Sequence, residues 1–371
     1  MAERILITGG AGFIGSHLGR HLLQRGYGVR ALDRLDPQVH PRRERPTYLE
    51  DEVELIEGDV RDPAAVEEAL EGVDGVVHLA ARVGVGQSMY EIAEYCSVNT
   101  VGTAVLLEAL IKKPIRRLLV ASSMSVYGEG LATTEEGRVA EAVERDRAQL
   151  ERGEWEPLSA DGSSLTSRPT PETKRPTLSS IYALNKYDQE RMCLLFGSSY
   201  EVPTTALRFF NVYGPDQALS NPYTGVLAIF GGRLLNGRAP LIFEDGEQRR
   251  DFVSVHDVAR ACGLALERDS AAGRVVNVGS GESITVREIA ERLARVTGRE
   301  DIEPQVTGKY RVGDIRHCFA DISVARELLG YEPQLALDDG MAELAGWLDG
   351  QTAEDRVESA HGELAARGLT L

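Results

Sequence analysis

The sequence predicts an α/β chain, a doubly wound parallel sheet followed by a smaller α+β unit. Three observations carry that reading. Short apolar runs alternate with helical patterns through the first half, which is the signature of a parallel sheet. The first run breaks at once into a glycine-rich turn that opens into a helical pattern. After Gly214 and Pro215 the texture changes to shorter strands mixed with helices.

The first strand is placed at residues 5–7. Gly9, Gly10, Gly12 and Gly15 follow it, ahead of a helical pattern over residues 13–23. Strand, turn and helix in that order suit the pyrophosphate of a dinucleotide. The spacing Gly10-x-Gly12-x-x-Gly15 fits the dinucleotide fingerprint, so Gly9, Gly12, Phe13, Ile14 and Gly15 are candidate contacts. A side chain in the turn would block close approach of the backbone, and one at Gly15 would hold the helix off the sheet. A second strand, residues 27–33, ends in Asp33. That is about 20 residues beyond the glycines, where a carboxylate accepts both ribose hydroxyls. A carboxylate there repels a 2′-phosphate and favours NAD over NADP, while Arg34 beside it argues the other way.

Residues 53–60 read as the third strand and its exit, with Asp59 and Val60 flanking the adenine. Asp62 and Pro63 then start a helix as N-cap and first residue. The fourth strand, residues 75–81, ends in Leu79, Ala80 and Ala81, where small side chains let a cofactor pass close by. The loop after it, residues 82–88, holds Val83 as a substrate-side candidate; its glycines imply either flexibility or close ligand approach. A helix over residues 89–111 carries Asn99, a candidate on the cofactor side. The fifth strand is residues 115–121.

Residues 130–178 are charged, rich in Ser, Thr and Pro, and poor in apolar periodicity. They read as a surface insertion, either a lid or an inert excursion. The resulting division is a dinucleotide-binding unit at 1–212, a mainly substrate-binding unit at 213–346 and a polar helical tail at 347–371. One further strand, residues 275–278, returns from the C-terminal half to the first sheet.

Bulk properties narrow the partners. The formal net charge of −17 argues against nucleic acid and against an anionic membrane surface. No run of about 18 apolar residues exists to span a bilayer. The chain enters a strand directly, with no basic segment before an apolar one, so no signal peptide is expected and the cytoplasm is the expected compartment. The four cysteines (Cys96, Cys193, Cys262, Cys318) are scattered, which fits reduced thiols and no metal site.

Tyr182 and Lys186 lie four apart in a helical run over residues 181–195, so both project from one face. A tyrosine hydroxyl titrates near pH ~10 and is a poor base. A fixed cation beside it favours the phenolate, which makes the pair a route to a general base for an alcohol proton. The same spacing also fits an ordinary exposed helix pair. Ser123 leaves the fifth strand in Ala121-Ser-Ser-Met-Ser-Val-Tyr-Gly128. A hydroxyl at that edge lies in the crevice where open α/β sheets bind ligands, able to hydrogen-bond a reacting oxygen. No Gly-x-Ser-x-Gly elbow is present, so a nucleophilic serine is not expected.

The glycine turn, Asp33, the serine strand and Tyr182-x-x-x-Lys186, in that order, resemble the extended short-chain dehydrogenase/reductase family. The stretches Leu207-Arg-Phe-Phe-Asn-Val-Tyr-Gly-Pro215 and Arg250-Asp-Phe-Val-Ser-Val-His-Asp257 resemble two further signatures of it, and the likeness runs from Ile5 to about Leu348. The resemblance implies a Rossmann sheet with a C-terminal substrate-binding domain, a bound NAD, a nucleotide-diphosphate sugar as substrate and a homodimer joined through a four-helix bundle. It assigns Ser123, Tyr182 and Lys186 as catalytic, with Tyr182 and Lys186 also touching the cofactor. It assigns Asn211, Arg250 and Arg311 to the substrate diphosphate, Ser123 to the reacting hydroxyl and Phe243 to the nucleobase.

Family members that dehydrate the sugar place acids directly after the catalytic Ser/Thr. Here those positions are Met124 and Ser125, which cannot serve as acid and base, so the likeness points to 4-epimerases. The segments around Asp36, Arg82 and Ser220, with the long insertion, look most like dTDP-L-rhamnose 4-epimerases. UDP-hexose or UDP-hexuronate 4-epimerases and NAD(P)H-dependent 4-ketosugar reductases stay open as alternatives. A non-catalytic NAD-binding regulator conflicts with the intact Ser123, Tyr182 and Lys186.

Overall fold

The structure is a computed structural model that describes residues 2–223, 225–311 and 313–370. Seven strands form its central sheet: β1 (Arg4–Thr8), β2 (Gly28–Asp33), β3 (Glu54–Glu57), β4 (Gly75–His78), β5 (Arg117–Ser123), β6 (Thr204–Phe209) and β7 (Val275–Val278). They lie in the order β7-β6-β5-β4-β1-β2-β3, and every neighbouring pair is parallel. Strands β4 and β6 are buried throughout, because helices cover both faces of a parallel sheet and its strands therefore read as unbroken apolar runs. Strands are added outward one way from β1 to β3 and the other way from β4 to β7, so the winding order reverses between β1 and β4. That switch point opens a crevice at the strands' C-terminal ends, where such sheets bind ligands.

Helices α1 (Phe13–Gln24), α2 (Pro63–Ala69), α3 (Gly102–Lys112) and α4 (Ile181–Tyr200) belong to the first half. The second half supplies α5 (Val226–Leu235), α6 (Val255–Glu267), α7 (Val286–Val296), α8 (Ser323–Leu329), α9 (Leu337–Leu348) and α10 (Val357–Ala366). Leu18 and Leu22 of α1 share a core with Val258, Cys262 and Ala265 of α6 on one face of the sheet. On the other face Val66, Leu106, Leu110, Cys193 and Phe196 join α2, α3 and α4. A third core, with Phe230, Leu234, Ile289, Leu293, Met341 and Leu344, packs α5, α7 and α9 together.

These cores redraw the expected division at 213–346. Strand β7 returns to the sheet at residues 275–278, as expected, and helices α6 and α8 also bury side chains in the sheet's own core, so that stretch of chain is shared between two bodies. The reason is visible in α6, whose apolar face meets α1 beside it on the same face of the sheet, a tertiary choice that periodicity does not encode.

The segment 130–178 is likewise no inert excursion. It carries short strands at Ala132–Thr133, Val139–Ala140 and Thr166–Ser167. Its Arg145 is buried and donates to Glu244 Oε1 at 2.8 Å, and its Glu156 accepts from Arg316 Nε at 3.0 Å. Arg316, itself fully buried, also binds Glu244 and Asp245. Charge pairing fastens the insertion to the C-terminal half, which explains a sequence rich in charge yet poor in apolar pattern.

Candidate active site

A single cavity of about 620 Å³ starts at the C-terminal edge of β1, β4 and β5 and continues to α5 and α10. Its first wall is the glycine turn. Gly9 has φ +71°, and a Cβ there would stand 3.0 Å from the backbone of Ala80. A Cβ at Gly10 would meet Ala31 Cβ at 2.6 Å, so Gly10 is the residue that lets the turn sit on β2. A Cβ at Gly15 would collide with the turn itself, 2.6 Å from Gly10 Cα. The expectation that Gly15 spaces the helix from the sheet is thus corrected: it spaces the helix from the turn. At Gly12 a Cβ would meet only Gly9 O, at 3.3 Å, and project into the cavity. Gly12 is also the N-cap of α1 and supplies no side-chain cap. The first N–H groups of α1 are therefore free for an anion. A bare backbone at a helix N-terminus, with an acid beside the turn, fits a dinucleotide.

That acid is Asp33. Its Oδ2 accepts from Ala11 N at 3.1 Å and its Oδ1 from Leu35 N at 2.9 Å. Burial raises its pKa against these hydrogen bonds. Arg34 turns away to Glu94 at 3.1 Å and Asp59 at 3.4 Å and also pairs with Asp36, so its charge is matched within the protein. Asp59 accepts from Arg61 at 2.7 and 2.9 Å. Burial works against its charge, but the Arg61 and backbone hydrogen bonds outweigh burial and hold the carboxyl down to about 2. Phe13, Ile14, Val60, Leu79, Ala80, Ala81 and Val83 line the same cavity. Asn99 is corrected: it does not line the cavity, because its side chain accepts from Arg82 N at 2.7 Å and donates to Arg82 O at 3.0 Å. It braces the loop that forms the wall.

The reacting groups come from β5 and α4. Ser180 caps α4, accepting from Ala183 N at 3.1 Å, and Ser88 Oγ accepts from Tyr182 N at 3.0 Å. These bonds fix Tyr182 in the first turn, where it lines the cavity together with Ser123 at the end of β5. Burial raises the Tyr182 pKa to about 12, and the Ser123 hydrogen bond opposes it. Ser123 Oγ also accepts from Ser125 Oγ at 2.9 Å. Lys186, buried one turn on, donates to Gln189 Oε1 at 2.6 Å, and burial lowers its pKa to about 8. Burial and Ser123 are the influences on the Tyr182 hydroxyl, and the Lys186 ammonium is turned to Gln189. Gln189 in turn donates to Ala80 O at 3.2 Å and Thr103 Oγ1 at 3.0 Å, linking Lys186 to the wall under the cofactor. On the next position Glu190 holds Arg208 of β6 at 2.7 and 2.9 Å and accepts from Ser122 Oγ at 2.7 Å, all buried. Sequence reasoning missed Gln189 and Glu190; their only signal is two polar residues on the inward face of a helix.

At the far end stand Asn211, Phe243, Arg250 and Arg311, all in the cavity wall. Arg250 donates to the carbonyl of Arg316 at 2.9 Å and to that of Ile315. The Arg311 guanidinium lies 5.4 Å from the Phe243 ring centre and 2.9 Å from Asp314. Three buried oxygens of this wall, Asn211 Oδ1, Gln217 Oε1 and Gln248 Oε1, find no protein partner among the described residues. Buried acceptors are costly when unmade, so they mark where ligand donors belong. Gln217 and Gln248 carry no pattern that sequence reasoning could use.

Cradle, acid, tyrosine–serine contact and a second polar pocket in one cavity define an enzyme that works on a nucleotide-bearing substrate beside a dinucleotide. Comparison agrees: the family described as NAD dependent epimerase/dehydratase matches residues 5–147 and 160–279. The chain belongs to that family, and NAD is its cofactor. It is 37% identical to a dTDP-L-rhamnose 4-epimerase of Burkholderia thailandensis, over 93% of this chain and 95% of that one. A solved UDP-glucose 4-epimerase of Thermotoga maritima, with UDP-glucose, superposes with a TM-score of 0.77 at 33% identity, covering 93% of this chain and 98% of its own. That of Thermus thermophilus, in complex with NAD, gives 0.75 at 29% identity over 94% and 100%.

Proposed function

We propose that the chain is a nucleotide-sugar 4-epimerase whose substrates are dTDP-L-rhamnose and dTDP-6-deoxy-L-talose. The observation that carries epimerisation is the Tyr182–Ser123 pair set between the NAD cradle and a second pocket, with Met124 and Ser125 where a dehydratase needs acids. NAD bound in the cradle supplies a reversible hydride acceptor. Tyr182 takes the proton of the sugar 4-hydroxyl as general base and later returns it to the same oxygen, when C4 is re-reduced on its opposite face. Ser123 donates a hydrogen bond to the same oxygen as charge develops on it. Lys186 holds the ribose next to Tyr182.

Between the two half-reactions the 4-keto sugar must turn over while its diphosphate stays held. Arg250 and Arg311 suit the fixed end, since guanidinium forks match phosphate oxygens. Val83, Gly84, Val85 and Gly86, which line the cavity, offer no charged side chain to fix the sugar. The likeness to the Burkholderia thailandensis protein supports the dTDP-L-rhamnose assignment. The UDP-glucose in the Thermotoga maritima structure makes a UDP-hexose the second reading.

We assign the chain to the cytoplasm as a homodimer. Its cysteines are free thiols, and Val101, Ile111, Leu184 and Leu195 lie exposed beside or along α3 and α4, an apolar surface suited to a helix-bundle dimer. Purified protein incubated with a panel of nucleotide sugars and no added cofactor should change the C4 configuration of dTDP-L-rhamnose, read by NMR. Turnover of a UDP-hexose alone would move the substrate to the second reading. Activity that needs stoichiometric NAD(P)H would replace epimerisation by net reduction.

A further inference from the structure

The family match ends at residue 279, yet the cavity is finished by α10, far beyond it. Val357, Ala360, His361 and Leu364 all line the cavity. Their spacing puts them on one helical face. Leu364 is 1% exposed, and a Cβ at Gly86 would touch it at 3.3 Å, so α10 is seated on the loop that follows β4.

The helix is firmly rooted. Asp355, just before it, is buried and pairs with Arg233 at 3.1 Å and with Arg238 at 3.1 Å. At its other end Glu363 accepts from Tyr90 Oη at 3.2 Å, and the Arg367 guanidinium stands 4.3 Å from the Tyr90 ring centre. A rooted helix with its apolar face on a cavity is a wall.

His361 is the polar group on that wall. Its ring lies 4.9 Å from Phe243, centre to centre, and Phe243 also carries the Arg311 guanidinium. No protein hydrogen bond reaches its nitrogens among the described residues. Burial first, then Arg311, Arg233 and Lys309, lower its pKa to about 4, so it is uncharged near neutrality. A neutral imidazole offers one donor and one acceptor, as does the edge of uracil or thymine, with its ring N–H and carbonyls.

We propose that α10 completes the nucleotide end of the substrate cavity and that His361 contacts the pyrimidine there as a specificity-determining residue. The inference rests on the nucleotide-sugar reading above. Its ligand class is a pyrimidine nucleoside diphosphate, and its role is in binding.

The test is calorimetric titration of dTDP and of UDP into the full-length protein and two variants, with NAD content and substrate kinetics measured alongside. In His361→Ala the Kd for the nucleoside diphosphate that wild type binds better should rise about tenfold, the loss of one or two hydrogen bonds and a ring contact. KM for the sugar nucleotide should rise in parallel, with kcat within about twofold. Leu364→Asp, which unseats the helix, should raise Kd further while the protein keeps its NAD. Unchanged or tighter nucleoside diphosphate binding in both variants overturns the inference and leaves the epimerase reading standing. Wild-type protein that binds neither dTDP nor UDP overturns both.

Discussion

Tyr182 sits where two influences oppose each other. Burial pushes its hydroxyl up to about 12, and the Ser123 hydrogen bond draws it down. A base needed as phenolate gains activity as pH rises through its pKa. Ser123→Ala removes the opposing hydrogen bond, so the rising limb of the kcat/KM–pH profile should move to higher pH, with neutral-pH kcat down ~10²-fold or more. Tyr182→Phe should lose ~10³-fold or more in kcat while keeping its NAD. A second prediction concerns Asp59. Its folded pKa of about 2 lies below the ordinary aspartate value of ~3.9, so its contribution is fully present above pH ~4 and disappears as pH falls towards 2. Asp59→Asn should lower Tm at neutral pH and lose less of it between pH 4 and 2 than wild type. At this scale the sequence displayed the chemistry-bearing types, because Tyr182, Lys186 and the glycines lie in local patterns. Gln217, Gln248 and His361 were silent, since a lone polar residue becomes a site residue only through what folds around it.

Helix α4 does two jobs with successive turns. Its first turn presents Tyr182, and two turns later Glu190 binds Arg208 of β6 and Ser122 of β5. The ion pair is nearly unexposed, at 1% for Glu190 and 4% for Arg208. Removing one partner strands a buried charge, a loss of ~3 kcal/mol or more. Glu190→Ala should therefore lower the urea midpoint accordingly, and it should depress kcat, because the same helix aims the base. The βα units of the first half were legible because each is local: an apolar run, a turn, then a helical period. Helix α10 was not. Val357, Ala360 and Leu364 are its few buried residues among charged neighbours, and nothing in their spacing says that they face a cavity built by other elements.

The molecule as a whole is organised by one parallel sheet to which both halves of the chain contribute. Within residues 213–346 the return of β7 is legible as an apolar run, whereas α6 and α8 are drawn into the sheet's core by contacts distant in sequence. The insertion 130–178 was recognised as an excursion, but its buried partner Arg316 lies far along the chain. On the outside, exposed Leu184 and Leu195 of α4 accompany Val101 and Ile111, a surface too apolar to be idle in a homodimer of the proposed kind. Leu195→Asp should convert the sedimenting species from dimer to monomer, and unchanged sedimentation as a monomer in both proteins would remove the helix-bundle dimer from the account.

The cavity has walls from Gly9 to Leu364, and this gives its assembly a direction in time. Synthesis runs from the N-terminus, and domains fold as units while it proceeds. The dinucleotide cradle is among the first parts made, and α10 follows every other wall. A nascent chain can thus hold its NAD before it is able to close around a sugar nucleotide.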